Sequence, residues 1–590
     1  MPGILGLVTE RPRAWAEEEL SRMLAPLRHE PFYVCGSLAL PQIGLYLAWV
    51  GREGSPLASM PLKAEDGSIL ITSGAIPLGG ARTPVTNSWN DLAQADSISR
   101  CEGMFQGVVV NSTGATATLF NDRYGMHRWY QSQTADTFYF APEAKAILAV
   151  RPDTRTLRPD SLAEFLALGC VLDNKSLFAG IDLLPAATRL TVQGGKVEKR
   201  DTYFDPRTWE ALTSLPAGEF RELVTNAFRT SMRSLPHGDN EPISVAITGG
   251  LDTRAIMAWS NYPPGMLPCY TYGSEYRDSR DVQIGRRVAA VCQQPHQVLT
   301  IGKDFLSRFT HYAERCTYLS EGTLTVANAP DLYLSEVARQ VSPAKIVGTW
   351  GSEILRRAVL FKPRVVESDL YAPELGAHYE TATAGYRRLR ALHPVTFAAF
   401  PQNQWFQFGI EALEQTQLTI HAPFLAHELV RAAYQAPVDD HSDVRLHLIR
   451  QGNSKLARIP SDRAASPDAP RVLALLGRAI HEFTFKAEYA LDMGMPFWLA
   501  PIHRAIGPWT LDPMFIGRHK FLRFRHWYRT ELASTLRDVL EDPGVLNWPY
   551  WKASKVKQTV QEHASGTVNH TTTLHTLLTL AFLRRSLQLS

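Results

Sequence analysis

Ile243-Ser244-Val245-Ala246-Ile247 runs straight into Thr248-Gly249-Gly250-Leu251-Asp252-Thr253, and this junction decides how the chain is read. An apolar run, a Gly-Gly turn and a helix-like segment in succession form a turn that can wrap a pyrophosphate. Without Cβ atoms the two glycines let the backbone approach an anion, while amides and hydroxyls at the helix N-terminus point at its oxygens. Asp252 is suited to hold a Mg²⁺ bridging those oxygens, because hard cations prefer carboxylate oxygen. The same six residues also suit an ordinary strand-to-helix turn in which Asp252 or Thr253 caps the helix.

Around the turn, strand and helix patterns alternate: strands at residues 243–247, 269–272, 298–300 and 345–347, helices at 254–260, 281–292 and 331–340. Such alternation predicts parallel strands with crossover helices, and ligands of such sheets bind outside the carboxyl ends of the strands. The Gly-Gly turn lies at such an end. Upstream, Pro206 and Pro216 bracket a loosened stretch, after which Phe220, Leu223, Val224, Phe228 and Met232 recur at helical spacing. Before that boundary the chain reads as short strands at residues 4–7, 44–50, 68–72, 107–110, 117–120 and 138–140, with helices at 14–23 and 161–168. Beyond about Pro470 it becomes helix-rich, with an aromatic and basic stretch at 521–528 and a long amphipathic end at 574–587. Packing of long side chains explains that aromatic and basic mixture better than RNA stacking.

At 590 residues the chain is too long for one core, and two to four domains are expected. A net charge of +3 with scattered Lys and Arg gives no electrostatic case for nucleic acid or an anionic membrane. No apolar run approaches the roughly 20 residues needed to cross a bilayer, and the first twelve residues lack a basic start followed by an apolar stretch. A cytoplasmic enzyme is the expectation. The six cysteines, Cys35, Cys101, Cys170, Cys269, Cys292 and Cys316, form no CxxC pair and have no His at ligand spacing, so each is expected as a small buried apolar residue rather than a zinc ligand or half of a disulfide. HExxH, GxSxG and GxGxxG strings are absent.

Taken in order, several motifs resemble the asparagine synthetase family of the glutamine-hydrolysing type. Met1-Pro2-Gly3-Ile4-Leu5-Gly6 is similar to its MCGIxG opening, Asn121-Asp122-Arg123-Tyr124-Gly125 to its (R/N)DxxG turn, and Phe140-Ala141-Pro142-Glu143-Ala144-Lys145 to its FASExK segment. TGGLDT stands for SGGLDS, and Val347-Gly348-Thr349-Trp350-Gly351-Ser352-Glu353 for SGEGSDE. Ala422-Pro423-Phe424-Leu425 resembles VPFLD, and His563 through Gly566 to Asn569-His570 resembles a C-terminal HxxGxxNH signature. The resemblance implies a mixed α/β and α+β fold: an Ntn-hydrolase-like αββα sandwich over residues 1–205, an ATP-pyrophosphatase (PP-loop) parallel α/β domain over 217–470, and a helical completion over 471–590. It implies that Thr248, Gly249, Gly250 and Thr253 cradle the β and γ phosphates of ATP, that Asp252 holds Mg²⁺, and that backbone groups of Ile247, Tyr272 and Gly348 flank the adenosine.

Departures from the family pattern qualify that reading. The family's glutaminase needs a Cys directly after the initiator Met, its thiol attacking the glutamine amide; here Pro2 offers no nucleophilic side chain. The family's NGE segment is represented by Ser73-Gly74-Ala75, and of the glutamine-binding set Asp122 alone is retained, where a turn cap is the other reading. The N-terminal region is therefore expected to be structural. In the second half, Thr349 stands where the family has an acid assigned to proton abstraction, and Ser352 where it has a second metal-binding Asp. Glu353 is the surviving carboxylate, expected in the metal site, with an ion pair to Arg356 or Arg357 as the alternative. The family's late Lys falls near Arg463, the closest cation, with Lys455 a second candidate. A guanidinium stabilises an oxyanion but does not readily accept a proton. Glu275, Asp278 and Asp281 either touch substrate or form a solvated acidic loop, and His296 is expected to be structural.

The activity implied is an ATP-dependent, AMP-forming amide ligase that activates a small-molecule or peptide carboxylate as an acyl-adenylate for attack by ammonia or a substrate amine, without its own glutaminase. A pseudoenzyme that binds ATP as a scaffold is the alternative. No nucleic acid or membrane partner is expected, and a homodimer is compatible with the sequence.

Overall fold

The structure is a computed structural model that describes residues 1–54, 61–74, 88–235, 242–275, 277–437, 443–461 and 521–590, with isolated positions between 479 and 488. Its N-terminal part is built from two six-stranded sheets whose strand pairs are antiparallel. The first has the order β10-β8-β9-β1-β3-β2 and the second β12-β11-β7-β6-β5-β4. In the first sheet these are β1 (Gly3–Thr9), β2 (Tyr33–Leu40), β3 (Leu45–Arg52), β8 (Tyr130–Gln133), β9 (Thr137–Ala141) and β10 (Asp182–Leu183). The second comprises β4 (Leu62–Lys63), β5 (Ile69–Gly74), β6 (Phe105–Val110), β7 (Ala117–Asn121), β11 (Thr188–Gln193) and β12 (Lys196–Thr202).

Side chains from both sheets meet in one apolar layer, with Ile4, Val8, Leu45 and Leu47 from the first against Ile71, Val108, Leu119 and Leu190 from the second. The helix Arg13–Leu24 packs against β1 and β3, and Trp89, Leu92 and Ile98 cover Phe105, Val109 and Phe120 of the second sheet. Sheet faces therefore bury one another and short helical pieces close the outside, the arrangement that lets β1 be apolar on both faces. Strands β2, β4, β8, β10, β11 and β12 were not singled out by the sequence pattern. In β2 the burial is mostly partial, and β12, KVEKRDT, is too polar to announce itself.

Residues 243 to 421 contribute a five-stranded sheet, β15-β14-β13-β16-β17, with every pair parallel. Its strands are β13 (Ile243–Ala246), β14 (Cys269–Ser274), β15 (His296–Ile301), β16 (Ala344–Ile346) and β17 (Thr419–His421). The chain builds outward from β13 first one way and then the other, so the strand order reverses there and a crevice opens at the carboxyl end of β13 and β16. The Gly-Gly turn follows β13 directly. The fifth strand, β17, precedes Ala422-Pro423-Phe424-Leu425 and has only three residues, too few to show a period.

The two halves are stitched by polar side chains. From the end of β3, Arg52 donates to Gln415 O (2.7 Å), Leu418 O and Thr419 Oγ1 (2.7 Å). Glu321 accepts the backbone N–H of Ala144 (2.8 Å) and Lys145 (2.6 Å) and pairs with the Lys145 ammonium at 3.4 Å. Two expectations are corrected. The helix Thr571–Leu587 is buried on almost all sides rather than amphipathic, because it packs against Phe309–Ser320 and Ala533–Leu540 at once. Cys35 and Cys292 are only half-buried, whereas Cys101, Cys170, Cys269 and Cys316 are buried; all six are free thiols. Among the described residues no helix is long and apolar enough to cross a membrane.

Candidate functional site

The turn after β13 is held by its own side chains. Thr248 N–H donates to Thr253 Oγ1 (3.3 Å), and Gly250 N–H donates to Thr248 Oγ1 (3.3 Å). The helix Asp252–Trp259 starts with Leu251 as its N-cap and has no side-chain cap hydrogen bond, so neither Asp252 nor Thr253 acts as an ordinary cap. Gly249 N–H donates to Asp281 Oδ1 at 2.9 Å, which places an anionic oxygen on a turn amide. Arg254, 1 % exposed, reaches back to Gly249 O (3.1 Å) and across to Ile459 O (2.5 Å) and Pro460 O (3.0 Å). A permanently charged fork thus fixes the turn's carbonyl, and with it the direction of the neighbouring amides.

A second loop, from the end of β16, closes over the first. Here Gly348 and Gly351 are required by close approach: a Cβ on Gly348 would stand 2.8 Å from Thr253 N, and one on Gly351 2.6 Å from Asp252 Oδ1. Between them Trp350 adopts a left-handed φ of 74°. Its buried indole donates to Asn403 Oδ1 (2.5 Å), a bond that holds this strained residue in place.

Asp252 sits where the loops meet. Its Oδ2 accepts from Ser352 Oγ (2.7 Å) and its Oδ1 from Arg445 Nη1 (2.7 Å); the same Nη1 donates to Ser352 Oγ (2.6 Å), and Arg445 Nη2 pairs with Asp443 at 2.7 Å. Burial works against the Arg445 charge, yet the two carboxylates more than offset it and hold the guanidinium ionised. One position along, burial and the Asp252 carboxylate push Glu353 up to about 7. Among the described residues Glu353 makes no ion pair with Arg356 or Arg357, so that alternative is set aside. The oxygens of Asp252, Ser352 and Glu353 are of the type a hard cation takes, with Arg445 standing beside them.

Beneath the two loops lies a cavity of about 300 Å³. Thr248, Asp252, Thr253, Gly348 and Thr349 form its mouth. Tyr272 and Lys345 line its sheet side, and Gln407, Glu411 and Glu414 its helical side. Lys345 pairs with Glu414 at 2.6 Å.

A smaller cavity of about 130 Å³ lies at the junction of the two halves, bordered by Pro2, Arg52, Gly74, Glu102, His127 and His421. Next to it Asp122 is used up as a turn cap: Oδ1 accepts Tyr124 N (2.9 Å) and Met126 N (3.2 Å), and Oδ2 accepts His127 N (2.7 Å) and Phe105 N (3.3 Å). Burial raises its carboxyl to about 6 despite those bonds, and burial lowers the His127 imidazole to about 3.

The remaining expected residues are dispersed. Lys455 is exposed and does not line the cavity; Arg463 and Ala75 lie outside the described residues. His296 Nε2 bonds Thr271 Oγ1 (2.8 Å), which donates to Ile247 O (2.8 Å), a structural bridge. Asp278 pairs with Arg286, and Glu275 is exposed. Sequence reading missed Arg254, Arg445, Lys345 and the carboxylates of Glu411 and Glu414. Arg254 was visible two residues after Asp252, but nothing local shows what an arginine reaches.

Two antiparallel sheets face to face, followed by a parallel sheet with a Gly-Gly turn at its switch point, define a mixed α/β chain, and residues 85–204 match the family model described as a glutamine amidotransferase domain. Among individual proteins, it is similar to asparagine synthetase [glutamine-hydrolyzing] 3 of Bacillus subtilis (strain 168), 26% identical over 195 residues. That match covers 32% of this chain and 30% of the relative, so the chain matches less than a third of that protein's length. It is thus amidotransferase- and asparagine-synthetase-like. The glutamine phosphoribosylpyrophosphate amidotransferase of B. subtilis aligns over 52% of this chain and 67% of its own at 9% identity, with a TM-score of 0.24. NMN synthetase from Francisella tularensis aligns over 43% and 100% at 13% identity, with a TM-score of 0.18. Superpositions this loose add nothing to the fold described above.

Proposed function

We propose that this chain is an ATP-dependent, AMP-forming amide ligase that activates a carboxylate for attack by ammonia or a substrate amine. The observation that carries the reading is the Gly-Gly turn at the carboxyl end of the central parallel strand, its Gly249 amide already bonded to the anionic oxygen of Asp281. A donor that holds a carboxylate oxygen at 2.9 Å suits a phosphate oxygen equally well. Thr248, Gly249, Gly250 and Thr253 hold the β and γ phosphates, and backbone groups at Ile247, Tyr272 and Gly348 flank the nucleoside.

Mg²⁺ bound to the phosphates would neutralise the charge of the departing pyrophosphate. The donor set fits an ion carried in by the nucleotide: Asp252 and Ser352 offer oxygens, while Arg445 already supplies one positive charge at the same carboxylate. Glu353 joins this set once it is ionised. Transfers of this kind depend mainly on positioning and charge neutralisation, which is what Arg254, Ser352 and Arg445 provide around the turn.

In this reading residues 1–205 form a glutaminase-like domain that does not hydrolyse glutamine, since Pro2 carries no nucleophile and Asp122 is consumed as a turn cap. Residues 217–470 form the nucleotide-binding unit and 471–590 complete it. The nitrogen then comes from free ammonia or from an amine on the substrate.

Release of pyrophosphate from Mg-ATP, measured over a panel of carboxylic acids with and without ammonium or amines, tests the proposal. Release that requires a particular acid supports it. ATP binding without turnover across a broad panel would instead favour a nucleotide-binding scaffold, a reading to which the Arg445–Asp252 pair lends its one specific support.

A further inference from the structure

The cavity under the Gly-Gly turn carries more acceptor capacity than its own donors use. Gln407, Glu411 and Glu414 lie at spacings of four and three along the helical segment from the π turn Asn403–Gln407 into Phe408–Gln415, which brings all three to the cavity. Each is buried: Gln407 is 5 % exposed and Glu411 2 %. Lys345 is engaged with Glu414. Glu411 Oε2 and Gln407 Oε1, both lining the same cavity, have no hydrogen-bond partner among the described residues.

The one ammonium of the cavity is thus paired with Glu414, and Glu411 is left with an unused oxygen, as Gln407 is with its amide carbonyl. Buried acceptors of this kind ordinarily find a donor, and a buried carboxylate ordinarily finds a positive charge. The groups facing Glu411 are Glu414 and Lys345, with Asp331 beside that pair. Burial and the Glu414 charge raise the Glu411 carboxyl to about 8, while Lys345 pulls it down, so near neutral pH the empty site keeps its proton and gives it up when a cation arrives. An arriving cation would add to the effect of Lys345.

We infer that Glu411 and Gln407 form a recognition site for a primary ammonium group on a small, amine-bearing substrate. A –NH₃⁺ group has three donors on one atom, which suits a carboxylate oxygen and a carbonyl oxygen converging on the cavity. At about 300 Å³ the cavity is at the lower end of small-molecule sites, with room for a compact amine on its helical side beside Gln407 and Glu411. Calling this amine a substrate rests on the ligase reading; its binding does not.

Titration calorimetry of the full chain with n-propylammonium, and with n-propanol as the neutral analogue of equal length, reads the site without any nucleotide. The expected result is saturable binding of the ammonium and none of the alcohol, with affinity roughly tenfold weaker in Glu411→Gln, a change of nearly equal shape that removes the charge and turns one acceptor oxygen into an amide donor. Equal binding of the alcohol, no binding of the ammonium, or unchanged affinity in Glu411→Gln overturns the inference. If Glu411→Gln leaves ammonium binding intact but raises the KM for ATP, the acceptors serve the nucleotide base and the inference also fails. Because pyrophosphate release is measured separately, failure here leaves the ligase reading standing, and failure of that assay leaves ammonium binding standing.

Discussion

Arg445 Nη1 lies 2.7 Å from Asp252 Oδ1 although 193 positions separate the two residues. The carboxylate at the heart of the turn is thereby held by a guanidinium from a distant helix, shared with Ser352 and balanced by Asp443. Arg445 is 3 % exposed, and its partners keep about a fifth of their side chains in solvent. Replacing it by Met strands two carboxylates, so Arg445→Met should lose about 3 kcal/mol in urea denaturation. A double-mutant cycle with Asp252→Asn should recover part of that loss, because the second change removes one stranded charge.

Asp252→Asn by itself should end Mg-ATP turnover while leaving the far-ultraviolet circular dichroism spectrum unchanged. The amide keeps the shape and the Ser352 bond but no longer presents an anionic oxygen to a cation. Full pyrophosphate release in this variant would contradict the role given to Asp252.

Arg254 makes three hydrogen bonds to backbone carbonyls from a fully buried position. Arg254→Met should cost about 2–3 kcal/mol, since carbonyls that lose a charged donor are left buried. It should also raise the KM for ATP more than that for the carboxylate, because the turn loses its anchor at Gly249 O. A variant as stable as the parent would show the clamp to be idle.

Glu353 should give a pH signature. Its carboxyl is raised from 4.5 to about 7 by burial and by Asp252. Between those values the unfolded chain is ionised and the folded one holds the proton, so this group's contribution to stability falls as pH climbs from about 4.5 to about 7. The difference in stability between parent and Glu353→Gln, followed by denaturant titration, should change across that window and be flat above it. If the ionised form assists the nucleotide step, turnover should rise through pH 7 in the parent and lose that rise in Glu353→Gln.

Purified protein should release no glutamate from glutamine. Pro2 borders the junction cavity without a nucleophile, the Asp122 carboxylate is satisfied by four backbone amides, and the buried His127 imidazole stays neutral at physiological pH. Glutamate above the background of a heat-denatured control would refute this.

Much of the scaffold was legible because it is written in local periodicity. The apolar run 243–247, the Gly-Gly pair and the helical spacing after Asp252 are neighbours in sequence and needed no distant partner to be read. The helix Ala217–Arg233 was equally plain, its apolar residues recurring every three or four positions. Elements with weak or mixed patterns escaped: edge strand β2 and polar strand β12 bury too little on one face to stand out, and β17, though buried, has only three residues. The helix Thr571–Leu587 shows the opposite failure, since its threonines and histidine look like a polar face until packing buries them.

By itself the sequence determined where strand, glycine turn and helix follow one another, because backbone conformation answers to residues only a few places away. Which charges meet was decided by the tertiary structure alone. Arg445 finds Asp252 across 193 positions, Arg254 finds Ile459 across 205, and Asp281 finds Gly249 across 32. Coulombic attraction and hydrogen bonding act through ångströms of space and through burial, neither of which exists until the sheets and helices have packed.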